Sequence, residues 1–285
     1  MDLIDAIRAA GVVGSGGAGF PTHVKLDVAA SCLIINAAEC EPLLETDKYL
    51  CRTFSDRIVR TAVAVGQQLR AVRVVIALKA SYRAEIAALR AAIDAQRAQV
   101  ELFQLDSFYP AGDEQTLVRL VIGRSVPERG LPLAVGCVVD NVGTILSIAD
   151  ALEERPVTEK YLSVTGAVQT PCILHVPIGT SLRECIRAAI PASERYGVVL
   201  GGPMMGKPLL DTAAIDTAVV TKTTGNLLVL PEDHPLLAEY EMASAGLTSV
   251  SLEEAYIEGF RTGARIMLAV LQEDKPQENK DEDQV

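Results

Sequence analysis

At 285 residues and 49% apolar content, the chain has material for one large or two smaller cores, and two domains fit best when domains usually run to roughly 100–200 residues. A formal net charge of −11 with a pI near 4.9 gives a surface that repels nucleic-acid phosphates and anionic lipid, so neither is expected as a partner. No window approaches the roughly 20 uninterrupted apolar residues of a spanning helix, and Met1-Asp2-Leu3-Ile4-Asp5 lacks the basic start of a secretory signal, so a soluble, cytoplasmic chain without direct membrane insertion is expected.

Residues 3–10 place Ile4, Ile7 and Ala10 on one face and stop at Gly11, the pattern of a short amphipathic helix, and a glycine-rich loop follows. Cys32–Ile35 reads as a buried strand. Ser55 is placed to cap a helix to about Leu69, in which Ile58, Ala62 and Val65 share a face. Val74–Leu78 is a second apolar strand, Ser81 opens a helix to about Ala98, and Val100–Leu105 is a third strand. This alternation predicts an α/β fold with a mostly parallel sheet covered on both faces. A helix from about Asp113 to Val121, a loop over Arg124–Pro132, a strand Gly136–Asp140 and a helix Asn141–Leu152 complete the first unit.

Near Glu153-Glu154-Arg155-Pro156 the pattern changes. Tyr161–Val168 and Ile173–Val176 alternate apolar and polar residues, Thr180-Ser181 opens a helix to about Ala189, and Tyr196–Leu200 returns as a strand, together pointing to a small β-grasp unit. A strand pair is expected within Ala218–Leu230 and a long helix over Ser251–Leu271, before a charged, aperiodic tail that reads as disordered. The domains are therefore expected at 1–155, 156–232, a helical segment 233–271 and an acidic tail 272–285.

The six cysteines, at 32, 40, 51, 137, 172 and 185, contain no Cys-x-x-Cys, which argues against an iron–sulfur or zinc site built from local sequence and for small buried apolar residues. With 4% aromatic residues and no Trp, stacked recognition of nucleobases has little material. His175, in an alternating strand, reads as a partly buried core residue rather than a metal ligand.

Four polar clusters remain. Gly14-Ser15-Gly16-Gly17-Ala18-Gly19-Phe20-Pro21-Thr22, with Lys25 just beyond, supplies backbone without Cβ that can approach a ring or phosphate closely. Its Gly-x-Gly-x-x-Gly spacing alone fits a flexible turn equally well, because a helix and not a strand precedes it. Asn36-Ala37-Ala38-Glu39-Cys40-Glu41-Pro42 follows the first strand, where open α/β sheets bind ligands. Tyr109-Pro110-Ala111-Gly112-Asp113-Glu114-Gln115 follows the third; Asp113 and Glu114 equally suit a helix N-terminus electrostatically. Asp140-Asn141-Val142-Gly143-Thr144 sits at another strand end, where an N-cap is the alternative.

Taken in order, these strings resemble the FMN- and NADH-binding domain of the 51 kDa flavoprotein subunit of respiratory complex I, in the branch of the RnfC proteins of electron-transport complexes and the cobalamin reductase of propanediol-utilising microcompartments. The resemblance covers about residues 10–232 and implies a Rossmann-like sheet followed by a soluble-ligand-binding β-grasp domain. It implies FMN on Gly14, Gly16, Gly17, Lys25, Asn36, Glu39, Gly112, Asp113, Asn141 and Thr144, and NADH on Phe20, Glu41 and Glu114, with no catalytic triad and no metal. Ala38 and Val28 stand where the complex I protein has an acid and an aromatic, so the flavin half is better preserved than the nicotinamide half. The cysteine clusters for iron–sulfur centres that follow a segment like Thr221-Lys222-Thr223-Thr224-Gly225 in the family do not follow it here. The expected activity is that of a diaphorase-like subunit passing electrons from NAD(P)H to a partner iron–sulfur protein or reductase, peripheral to a membrane complex or microcompartment. The alternative is a non-catalytic paralogue that docks a partner or carries a corrinoid on the β-grasp domain.

Overall fold

Leu33 and Ile35 point to one face of a four-stranded sheet while Cys32 and Ile34 point to the other, and Ile76 and Leu78 alternate in the same way with Val75 and Ala77. Both faces are buried, which is why these strands read as continuous apolar runs. The computed structural model describes residues 2–209, 212–234 and 237. In chain order its first part comprises α1 (Leu3–Ala10), α2 (Thr22–Leu26), β1 (Cys32–Asn36), α3 (Thr46–Thr53), α4 (Ser55–Leu69), β2 (Arg73–Lys79), α5 (Arg83–Gln96), β3 (Glu101–Leu105), α6 (Glu114–Ile122), a 3-10 turn at Pro132–Val135, β4 (Cys137–Asn141) and α7 (Val142–Leu152).

All pairings in this sheet are parallel, in the order β3-β2-β1-β4. Helices α1, α4, α5 and α7 cover one face and α6 the other. The chain runs outward from β1 through β2 to β3 and returns to the far side of β1 as β4, so the direction of winding reverses between β1 and β4. That reversal opens a crevice at the carboxyl ends of the two strands. There Asn36 and Asn141 are direct register partners.

The second part comprises β5 (Glu159–Gly166), β6 (Cys172–Pro177), α8 (Leu182–Ala188), β7 (Tyr196–Leu200), β8 (Lys207–Leu209), α9 (Thr212–Thr217) and β9 (Asn226–Pro231). Its sheet has the order β6-β5-β9-β7-β8, with β5 and β9 parallel and every other pair antiparallel, the β-grasp arrangement. Its core gathers Leu162, Val164, Leu182, Ile186, Val198, Leu227 and Val229.

Several expectations are corrected. The strand pair within Ala218–Leu230 is the single strand β9, preceded only by an isolated bridge from Val219 to Ser181, because the Thr221–Gly225 turn leaves no partner strand. Ser55 and Ser81 do not cap: Phe54 and Tyr82 hold those positions, and neither helix has a side-chain cap bond. Helices α2, α3 and α9 and strand β8 are additions to the expected set; each buries at most two apolar residues, too few to show a period. The expected helix 251–271 and tail 272–285 lie outside the described residues.

Candidate functional site

A cleft of about 1060 Å³ opens where the carboxyl ends of β1 and β4 face the β-grasp sheet. That is at the upper end of the roughly 300–1,000 Å³ usual for ligand sites. Gly16, Gly17, Glu39, Glu41 and Asn141, all candidates from the sequence, line it together with Ser15, Thr46, Asp47, Lys160, Gly202, Thr223 and Thr224.

The glycine loop is closed by Gly14, whose N–H donates to the Phe20 carbonyl at 2.9 Å. Thr144, in the first turn of α7, anchors it: its Oγ1 accepts from the Ser15 N–H at 2.9 Å. Gly16 and Gly17 are thereby held beside the α7 N-terminus, where Asn141 is the N-cap and its Oδ1 accepts from the Gly143 N–H at 2.8 Å. At Gly17 the backbone is left-handed, with φ +107, and an added Cβ would meet nothing within 4 Å. The loop thus presents bare backbone to open space.

Asn36 does not line the cleft; it ties the walls together. Its Nδ2 donates to the Gly112 carbonyl at 2.8 Å and its Oδ1 accepts from the Ala38 N–H at 3.0 Å. Gly112 donates in turn to Cys40 Sγ at 2.6 Å. A Cβ on Gly112 would fall 2.0 Å from the Ala38 carbonyl oxygen. Gly112→Ala should therefore force the backbone apart and cost about 1–3 kcal/mol, read as a lowered urea midpoint at unchanged slope.

The carboxylates line up along the cleft. Glu39 accepts from the Glu41 N–H at 2.9 Å; burial, reinforced by the Asp47 charge, pushes its carboxyl up to about 8. Asp47, also raised by burial, accepts from Asn141 Nδ2 at 2.7 Å. Glu41 reaches the Gly201–Gly206 turn, where its Oε2 accepts from the Met204 N–H at 2.8 Å while its Oε1 is buried without a partner. Asn226, fully buried in β9, fixes that turn by donating to the Gly201 carbonyl at 2.9 Å. Asp47 joins the site without being a candidate from the sequence, because α3 buries only two apolar residues, Leu50 and Cys51, and so shows no period; the polar run Thr46-Asp47-Lys48 is the available signal.

A second group stands apart from the cleft lining. Lys25 Nζ lies 3.4 Å from Glu114 Oε1 and 3.5 Å from Asp140 Oδ1. Asp140 is only 3% exposed, its Oδ2 has no partner, and burial raises its carboxyl to about 6 against the lowering pull of Lys25. Asp113 caps α6, its side chain accepting from the Thr116 N–H at 2.9 Å. Phe20 is 51% exposed. His175 stacks on Tyr161 with ring centroids 4.0 Å apart. Among the described residues no three His, Cys, Asp or Glu side chains converge on a metal position, and no helix is long and apolar enough to cross a membrane.

Fold and cleft together define an α/β protein of the open parallel-sheet class, Rossmann-like, with a ligand crevice at its switch point and a β-grasp sheet facing that crevice. The chain belongs to the family of the Nuo51 FMN-binding domain, which matches residues 7–150. Within it, the chain falls in the branch of the RnfC proteins and the PduS cobalamin reductases. It is 45% identical over 238 residues to the cobalamin reductase PduS of Salmonella typhimurium, covering 83% of this chain and 51% of that protein. It is 35% identical over 211 residues to a subunit of the proton-translocating ferredoxin:NAD(+) oxidoreductase complex of Clostridium ljungdahlii, covering 72% and 46%. A solved NAD+-reducing [NiFe]-hydrogenase shares the fold, with a TM-score of 0.71 at 22% identity over 85% of this chain and 49% of that one. The chain spans between about a quarter and half of the length of the curated relatives it matches.

Proposed function

We propose that this chain binds FMN in the switch-point cleft, takes reducing equivalents from NADH there and passes them to a partner iron–sulfur protein or reductase subunit. The observation that carries this reading is the meeting of Gly16, Gly17, Glu39 and Asn141 on one cleft at the carboxyl ends of β1 and β4, in a chain of an FMN-binding family. Open space over Gly17 and the adjacent α7 N-terminus suits a phosphate or a ring edge. When bound, FMN supplies exchange of electrons in pairs and singly. The protein's residues position it and exclude water.

In this reading burial and the Asp47 charge keep a proton on Glu39, and its carboxyl would act as a hydrogen-bond donor to the polar edge of the flavin. Lys25, held by Glu114 and Asp140, serves the flavin, the exposed Phe20 and Glu114 serve the nicotinamide side, and Glu41 shapes the end closed by the Met204 turn. Asn36, Gly112, Asp113 and Thr144 act by holding the walls. Residues 1–155 carry the cofactor and 156–232 close over it. Two relatives bear names that fit electron transfer: a cobalamin reductase and a ferredoxin:NAD(+) oxidoreductase subunit.

The purified chain should bind FMN about tenfold or more tightly than FAD, because the cleft offers one phosphate position, and the absorbance of bound FMN should bleach on adding NADH. Titration of both flavins followed by anaerobic NADH addition reads both steps. Tighter FAD binding would remove the single-phosphate argument. Bound flavin that NADH leaves oxidised would remove NADH as donor, and failure to bind either flavin would put a non-catalytic docking protein in this reading's place.

A further inference from the structure

The β-grasp side of the cleft contributes a cation that no local motif marks out. Lys160, second residue of β5, is part-buried and lines the cleft, where loss of solvent lowers its affinity for its proton. Among the described residues no carboxylate comes within ion-pair distance of it, and it makes no hydrogen bond. Its nearest charge of influence, Asp47, is already engaged by Asn141 at 2.7 Å. An ammonium withdrawn from solvent without an ion-pair partner is costly and is retained where something anionic meets it.

The same cleft presents donors suited to an anion. Gly16 and Gly17 offer backbone N–H groups from the glycine loop, beside the N-terminus of the eleven-residue helix α7, while the Ser15 N–H is already taken by Thr144 Oγ1. Thr221, Thr223 and Thr224 line it from the turn before β9. That turn is pinned against the first domain: Lys222 Nζ donates to the Gly11 carbonyl, and an added Cβ on Gly19 would lie 3.3 Å from Thr223 Cγ2. Backbone N–H groups, hydroxyls and one unpaired cation around a common space form the donor set of a phosphate site.

We propose that Lys160, reaching in from the β-grasp sheet, is the cationic partner of a phosphate monoester bound between the glycine loop and the Thr221–Thr224 turn. The assignment deepens the flavin reading and rests on it for the identity of the ester, which is the terminal phosphate of FMN. It also gives the β-grasp domain a part in holding the cofactor, so that binding draws the two domains together.

FMN and riboflavin differ only in that phosphate, so their affinity ratio isolates it. Each is titrated into the full chain and into Lys160→Met and Lys160→Arg, with quenching of flavin fluorescence as the readout; inorganic phosphate and NADH are titrated into the same proteins by calorimetry. Lys160→Met should weaken FMN about 10- to 100-fold, the range for a charge-assisted hydrogen bond, leave riboflavin unchanged, and be largely rescued by Lys160→Arg. An unchanged FMN-to-riboflavin ratio, whether both affinities fall together or neither does, overturns the proposal. If wild type binds neither flavin, the flavin reading fails by itself. Inorganic phosphate or NADH binding that Lys160→Met weakens tenfold then keeps the phosphate site and names its source, and binding that ignores the substitution overturns it.

Discussion

Gly17→Val is expected to weaken FMN binding more than about 100-fold, a loss of about 2.7 kcal/mol or more, while leaving the chain folded. Gly17 adopts φ +107, a region that a β-branched residue enters only with strain, so valine must rebuild the local backbone. No protein atom stands within 4 Å of the added Cβ, so the new side chain occupies cleft space and not core. The tether from the Ser15 N–H to Thr144 Oγ1 and the closure from Gly14 to Phe20 lie on either side and survive. The melting temperature should therefore fall by only a few degrees, consistent with about 1–2 kcal/mol of backbone strain. Flavin content after reconstitution and a thermal melt decide the matter together. Full FMN occupancy in a folded Gly17→Val protein would show that the glycine loop is not the cofactor wall, and the docking reading would take precedence.

How much of the fold and site is legible in the sequence depends on whether a feature is local. The apolar runs of β1, β2 and β4 announce themselves because both faces of a parallel sheet are buried, and Gly11 marks the end of α1 because it takes the left-handed conformation at φ +67. The strings around Gly16, Glu39 and Asn141 are legible because each closes a strand or opens a helix, where ligands gather in such folds. The cleft itself is not. Its far wall comes from Lys160, Gly202 and Thr223, which are remote in sequence and reach the glycine loop only when the second sheet packs down. The division of labour among the candidates is equally hidden: Asn36 and Thr144 are tethers, Asp113 is a cap, and Lys25 is paired with Asp140, a residue whose burial follows from its place on β4 and not from its type. Asp47 belongs to a helix whose two buried apolar residues, Leu50 and Cys51, are too few to show a period. Long-range complementarity of this kind leaves no mark in a window of ten residues.

Glu39→Gln is expected to stabilise the flavin-free protein increasingly as pH rises from about 4.5 to 8, by on the order of a few kcal/mol at the upper end. Burial and the neighbouring Asp47 raise the Glu39 carboxyl from its ordinary 4.5 to about 8 in the folded chain. Between those values the folded state holds a proton that the unfolded state has released, so stability contributed by this group is present below the unfolded value and is lost progressively as pH climbs toward 8. Glutamine is neutral throughout and keeps an Oε1 to accept from the Glu41 N–H, so it escapes that loss without leaving the loop donor unpaired. Urea denaturation of wild type and variant from pH 4.5 to 8.5 measures the difference directly. The two curves should coincide near pH 4.5, where Glu39 is protonated in the folded chain, and separate steadily above it in favour of the variant. A constant offset across the range would mean that Glu39 titrates normally in the folded protein. The cleft would then be wet enough to keep a charged carboxylate, and the neutral donor assigned to Glu39 beside the flavin would have to be given up.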